Sequence, residues 1–388
     1  MLDCDVLVIG CGPAGACAAR AAAMSGAKTI VVERNAVVGT PVRCAEGVGE
    51  YLLGLAPFRI PKGLLRWRIE GMRFRAENLK FELKGGFWEG YTIDRDRFDQ
   101  WLARLSEAEG AKVLTGTTII FAEDKLDGVK AVSLSGDGKE TDIRAKKVVV
   151  ADGADSKASE YLGYDLRRRN VGHVYGMELR ETELGESRFE TIFFGDFTTI
   201  GYGYIFPKGN GIANVGVGGE LSEGEAKRKF FEFVEMREVR EKISGAKFGV
   251  EKGGPCPLEG YPPPVKGNSI LVGDAGNQNF KPFIEGVIPA VICGDIAGRV
   301  AAESAAGKAG LTDFNARVKE KLGDYFAASE AIYREMAALF RSEYPSRHLL
   351  IAGISSNLIK PDEISELEES EPAEIRKTIL SRLGRLDQ

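Results

Sequence analysis

Apolar and polar positions along the chain fall into three patterns, and each predicts a different element. Short, mostly apolar runs that stop at or near a glycine or an acid occur at residues 5–9, 29–32, 147–150 and 269–272, as expected of buried parallel strands. Between the first two lies the alanine-rich stretch 16–25, which reads as a helix ending at Gly26. Helical spacing returns at 95–108 through Phe98, Leu102 and Leu105, then in the charged stretch 223–242, in 286–306 and from residue 313 onward, with a polar end over 360–388. Strict alternation marks 70–83 and the aromatic-rich 174–219, which read as antiparallel strands; 112–134 is also strand-rich. Gly209-Asn210-Gly211 reads as a hairpin turn, and Tyr261-Pro262-Pro263-Pro264 as a rigid connector.

Composition narrows the function. The chain has 388 residues with 44% hydrophobic content, enough for a core divided over more than one domain. Its 52 basic and 57 acidic residues give a net charge of -5, which argues against nucleic acid as a partner. The longest apolar candidate for a membrane span, 287–302, is broken by Gly294, Asp295 and Arg299. The first residues lack the positive leader of a signal peptide. Six cysteines without C-x-x-C spacing point to a reducing, cytoplasmic setting and away from structural zinc. With only His173 and His348 present, neither a metal site nor a Ser-His-Asp triad is expected.

The motif with chemical content is Gly10-Cys11-Gly12-Pro13-Ala14-Gly15, set between the first strand and the first helix. Gly10 permits the tight turn, Gly12 lets backbone approach a pyrophosphate, and Gly15 lets helix and strand pack closely. The helix N-terminus then faces the phosphates with free N–H groups. Glu33, eighteen residues after Gly15 at the end of the second strand, is placed to accept from a ribose hydroxyl. Together these predict dinucleotide binding. No second glycine fingerprint follows a strand, so electrons are expected from an external donor.

Two later segments resemble flavoproteins of the glutathione-reductase type. Val148-Val149-Val150-Ala151-Asp152-Gly153 is similar to their second flavin motif, and Leu271-Val272-Gly273-Asp274-Ala275-Gly276 to their third, whose Asp holds the ribityl chain. The resemblance implies FAD. It also implies an α/β fold: a Rossmann-type FAD-binding domain from 1–65, 93–165 and 265–310, an inserted antiparallel-sheet substrate domain from 66–92 and 166–264, and a C-terminal helical region over 311–388. Cofactor contacts are then expected from Gly10, Gly12, Pro13, Ala14, Gly15, Glu33, Arg34, Arg43, Cys44, Arg97, Asp152, Gly153, Gly273, Asp274, Gly286 and Val287.

Pro41-Val42-Arg43-Cys44-Ala45-Glu46-Gly47 resembles the P-x-x-C-x-x-G loop of the geranylgeranyl reductase family. Tyr202-Gly203-Tyr204-Ile205-Phe206-Pro207 resembles that family's Y-x-W-x-F-P motif with Tyr204 in place of Trp, and Asn214-Val215-Gly216-x-Gly218 continues the likeness. Tyr91–Asp99 matches a segment shared with flavin hydroxylases. The resemblance, to the archaeal branch in particular, implies a reductase that saturates prenyl chains of membrane ether lipids with a hydride from flavin N5. It implies a role for Cys44 in proton relay, and substrate contacts from Tyr202, Tyr204, Phe206 and Pro207, with Phe193 and Phe194 as further aromatic candidates. Arg43 and Lys208 are candidates for anchoring a phosphate head. The implied partners are an isoprenoid lipid, a donor such as ferredoxin, reduced deazaflavin or NAD(P)H, and the membrane surface, touched peripherally. Residues 333–358 offer either an interfacial helix or, the preferred reading, one packed on the substrate domain. The competing reading is a flavin monooxygenase or halogenase acting on a small aromatic compound. The sequence departs from its relatives at Pro282-Phe283-Ile284-Glu285-Gly286, where they carry a glycine-rich turn.

Overall fold

The computed structural model describes residues 1–386; positions 387–388 of the expected C-terminal region lie outside the described residues. The core of the first half is an eight-stranded sheet. Leu2–Ile9 lies at its centre, parallel to Thr29–Val32 on one side and to Glu140–Val150 on the other. Lys112–Leu114 and Ser269–Leu271 extend the parallel set outward. Thr117–Lys125 and Gly128–Ser135 form an antiparallel meander with Glu140–Val150. The central strands are buried on both faces, which is why they read as unbroken apolar runs.

The helix Pro13–Met24 packs on this sheet and against the long helix Val287–Ala305. Small residues set how close the two come. A Cβ on Gly294 would stand 2.2 Å from the carbonyl oxygen of Ala14, and one on Gly298 would stand 2.1 Å from that of Ala18. Gly294, one of the breaks in that apolar run, thus belongs with Gly298 to the glycine lane on which the fingerprint helix rests.

A seven-stranded sheet forms the second half, in the order Lys247–Glu259, Asn170–Arg180, Ile212–Gly219, Tyr202–Gly209, Phe189–Phe194, Gly71–Ala76, Leu79–Lys84. It is antiparallel except where Phe189–Phe194 runs parallel to Gly71–Ala76. The hairpin at Gly209-Asn210-Gly211 forms, with all three residues at positive φ. One face is covered by Glu223–Val234 and Arg237–Lys242, two helices where the sequence suggests one. Met236 is extended between them, and Phe230, Phe233 and Val239 pack on Leu179, Phe193 and Val215.

The opposite face meets the C-terminal helices Asp313–Arg341, Arg347–Ser355 and Pro372–Leu386. Leu349, Leu350 and Ile351 are fully buried in one cluster with Phe74, Ile192 and Phe194. The packed reading of 333–358 therefore holds, and its apolar side chains are committed to the fold. Among the described residues, no helix is long and apolar enough to cross a membrane. A small sheet of Gly47–Gly49, Gly90–Ile93 and Leu65–Ile69 lies between the two large ones.

Candidate flavin and substrate site

A single cavity of about 860 Å³ runs from the glycine fingerprint, between the two large sheets, to the C-terminal helices. At the fingerprint end, Gly10 has φ +96°, and a Cβ there would stand 2.3 Å from the Ala151 carbonyl oxygen. A Cβ on Gly15 would meet the Gly10 carbonyl oxygen at 1.9 Å, whereas one on Gly12 would meet nothing within 4 Å. Gly10 and Gly15 thus serve packing, and Gly12 opens backbone to the cavity. The helix starting at Pro13 has no side-chain cap, so its first N–H groups stay free for a ligand. Glu33 is buried and fixed: Oε2 accepts from the Cys11 N–H and Oε1 from the Asn35 N–H, each at 2.8 Å.

Acceptors are left over on the other two strand ends. Asp152 Oδ2 accepts from the Ala158 N–H at 3.1 Å, while Oδ1 is buried without a partner. Asp274 follows the strand Ser269–Leu271 and borders the cavity, and burial pushes its carboxyl up. Buried unpaired acceptors are costly unless something donates to them. A ligand carrying phosphates for the helix and hydroxyls for the acids fits this cradle, which is the polarity of FAD. Pro13, Ala14, Arg34, Gly153, Gly273, Gly286 and Val287 border the same space.

The other end of the cavity is apolar. Tyr202, Tyr204 and Phe206 face it from one strand, with Met72, Phe283 and Met336 opposite and beside them. Tyr204 explains the glycines of the neighbouring strands: a Cβ on Gly216 would stand 2.3 Å from its hydroxyl, and one on Gly176 2.7 Å from it. Two of the aromatic candidates point elsewhere. Phe193 faces the opposite side of the sheet onto Phe233, because neighbours along a strand alternate, and Phe194 belongs to the core beneath the C-terminal helices. Pro207 does not border the cavity either; its carbonyl accepts from the Thr92 hydroxyl at 3.1 Å.

Cys44 borders the cavity on the loop 41–47, and its Sγ accepts from the Glu46 N–H at 3.2 Å. What holds this loop is a buried ionic cluster. Glu46, at φ +70° and 1% exposed, takes Lys208, Lys252 and Asn214 on Oε2 and the Arg95 N–H on Oε1. Burial alone would raise the Glu46 carboxyl, but the two lysines outweigh it and hold it below the usual range. Lys208 also meets Asp94 at 2.8 Å and Glu178 at 3.2 Å. Its ammonium is saturated and enclosed, so Lys208 anchors the loop and not a phosphate. Arg43 is exposed at the cavity edge, with its stem against Gly254.

Arg97 is also placed away from the cavity. It is exposed and borders a separate recess of about 230 Å³ with Arg66 and Asp94. Two positions on a helix are about 200° of rotation, so the inward residues are Arg95 and Asp99, paired at 2.9 Å and bordering the main cavity. The departure at 282–286 also resolves. Ile284 has φ +54°, a region that favours glycine, and keeps the turn with an isoleucine. Glu285, whose backbone bridges to Phe280, accepts from the Gly49 N–H at 2.5 Å and the Tyr51 hydroxyl at 2.9 Å. His173 is structural, with Nδ1 3.0 Å from the Leu221 carbonyl oxygen. Cys256 borders the cavity, unlike the other buried cysteines except for the half-buried Cys44, and burial pushes its thiol up to about 12.

The fold and this cradle define an FAD-dependent oxidoreductase: the profile of the FAD dependent oxidoreductase family matches residues 5–154. Digeranylgeranylglycerophospholipid reductase of Methanococcus vannielii is 33% identical over 328 residues, 82% of each chain. That of Methanothrix thermoacetophila is 32% identical over 346 residues, covering 84% of this chain and 85% of its own. The chain belongs to the digeranylgeranylglycerophospholipid reductase family. A geranylgeranyl bacteriochlorophyll reductase-like protein from Thermoplasma acidophilum has a similar structure, with TM-score 0.78 and 25% identity over 95% of this chain and 99% of its own. The myxobacterial chondrochloren halogenase, at TM-score 0.67 and 18% identity over 98% of this chain and 97% of its own, shares the fold alone.

Proposed function

We propose that this protein saturates the carbon–carbon double bonds of geranylgeranyl chains on membrane ether lipids. FAD, when bound and reduced, supplies the hydride. The observation that carries the reading is the continuity of one cavity, polar where Gly12, Glu33, Asp152 and Asp274 converge and apolar where Tyr202, Tyr204 and Phe206 do. Gly10, Gly12, Pro13, Ala14, Glu33 and Arg34 would hold the adenosine diphosphate half. Asp152, Gly153, Gly273, Asp274, Gly286 and Val287 would hold the ribityl and ring half, and Cys44 and Arg43, which border the same cavity, would add contacts to it. Asp274 would meet the hydroxyls of the ribityl chain. The aromatic wall holds an isoprenoid by burial, at roughly 25 cal/mol per Å² of apolar surface. Such a wall also excludes water from the reacting carbons.

The lipid reaches the cavity from the membrane surface by peripheral contact. Phe87 and Tyr325 border the cavity at 54% and 40% exposure and supply an apolar rim for that contact. Electrons come from an external donor, of the ferredoxin, reduced deazaflavin or NAD(P)H type. The test is product analysis: the purified holoprotein, reduced with dithionite under anaerobic conditions, is incubated with a geranylgeranyl ether lipid. Recovered lipid heavier by two hydrogens per double bond supports the reading, and unchanged lipid overturns it.

A further inference from the structure

Glu190 is a carboxyl group that none of the contacts above accounts for. It lies in Phe189–Phe194, paired with Met72 of one neighbouring strand and one position beyond the Thr191–Ile205 pair with the other, on the face that borders the cavity. It is 8% exposed, and among the described residues it has no hydrogen-bond donor and no ion-pair partner. Its Oε1 stands 2.8 Å from where a Cβ on Gly47 would be, so it rests against the end of the loop that carries Cys44.

The charged groups around it are committed elsewhere. Lys208 and Lys252 are held by Glu46 and Glu178, and Arg95 by Asp99. Arg73 and Arg75 alternate to the other side of their strand and pair with Glu82 and Glu238, while Arg43 lies along Gly254. Tyr202 and Tyr204 stay neutral, since burial pushes both hydroxyls up. The remaining neighbour is a second carboxyl group, Glu285, which accepts from Gly49 and Tyr51 and which burial also pushes up. Burial, with Glu285 adding to it, raises the Glu190 carboxyl to about 8. A buried carboxyl without a partner is held in its neutral form, which carries an O–H donor.

We infer that Glu190 is the acid that protonates the alkene, its carboxyl O–H facing the apolar part of the cavity beside the Cys44 loop. This rests on the prenyl-reduction reading. The balance is simple: the C=C π bond breaks, one carbon takes the hydride that reduced FAD supplies, and its neighbour takes the proton of Glu190. Two electrons pass from the cofactor to the alkene, and Glu190 is left as a carboxylate. It takes its next proton from water once the product leaves.

Two measurements test the inference. The first needs no substrate: infrared difference spectra of the oxidised holoprotein across a pH titration. Wild type is expected to show a protonated carboxyl band that titrates near pH 8, and Glu190→Gln to lack it. The second is single-turnover lipid reduction. Glu190→Gln is expected to keep FAD and lipid affinity and to slow the reaction by roughly 10²–10⁴-fold, the usual range for a lost general acid. The wild-type rate should fall as pH rises through about 8, and the variant should lose that limb. Glu190→Asp, which keeps an acid at shorter reach, should recover part of the rate, and it stands in for Gln if that variant does not fold. A Glu190→Gln enzyme as fast as wild type with the same pH limb, or an unchanged infrared titration, overturns the inference alone. A wild-type enzyme inert toward the lipid overturns the prenyl reading, whatever the infrared titration shows.

Discussion

The Tyr202 hydroxyl donates to the Phe283 carbonyl oxygen at 2.6 Å, tying the middle of the seven-stranded sheet to the turn that carries Glu285. The bond spans 81 residues of sequence and closes one side of the cavity. Tyr202→Phe removes the donor and keeps the ring. We expect a loss of about 1 kcal/mol in stability, the net worth of one such bond. The lipid KM should rise more than kcat falls, because the ring still lines the cavity. Thermal unfolding with steady-state kinetics checks both.

The loop carrying Cys44 depends on the ion cluster beneath it. Lys208→Met leaves Glu46, Glu178 and Asp94 short of a buried cation, and breaking such a cluster costs about 3–5 kcal/mol. Removing Arg237, whose pair with Glu241 is on the surface, should cost under about 0.5 kcal/mol. Urea denaturation of the two variants side by side measures the contrast.

Gly294→Ala places a methyl group against the Ala14 carbonyl oxygen, where 2.2 Å is available. The helix Pro13–Met24 must shift, and with it the N-terminus facing the phosphates. Overpacking of this kind costs about 1–3 kcal/mol. FAD affinity should fall by more than that of a Gly384→Ala control, where a Cβ meets nothing within 4 Å. Titration of the apoprotein with FAD reports the difference.

Glu190 also predicts a pH dependence of stability. Its folded-state carboxyl is raised from 4.5 to about 8, so the fold binds its proton more tightly than the unfolded chain does. The contribution is fully present below about pH 4.5 and is lost as pH rises through about 8. The melting temperature of wild type should fall across that window more steeply than that of Glu190→Gln. Equal slopes would place the Glu190 carboxyl near its ordinary value.

What was legible in the sequence was local. Residues 5–33 carry strand, glycine turn, helix and terminal acid in one stretch, and the hairpin at 209–211 declares itself by composition. What was not legible depends on which face of an element meets which neighbour. The likeness of 91–99 to other flavoproteins singles out Arg97, whereas helical rotation turns Arg95 to the cavity instead. Lys208 reads as a candidate phosphate anchor because Glu46, Glu178 and Lys252 are distant in sequence and meet it only in the fold. Glu190 does carry a local signal in the sequence. In Phe189-Glu190-Thr191-Ile192-Phe193-Phe194 it shares parity with Ile192 and Phe194, an acid on an otherwise apolar face. That this face borders a cavity follows from the packing of two sheets, which no local pattern encodes.

The most direct test of the central claim is anaerobic stopped-flow. Dithionite-reduced holoprotein, freed of excess reductant, is mixed with a geranylgeranyl ether lipid while flavin absorbance is followed. The account predicts reoxidation that requires the lipid, with one double bond saturated per flavin oxidised. A flavin that stays reduced until oxygen is admitted, and then oxidises faster with a small aromatic compound present, would contradict it.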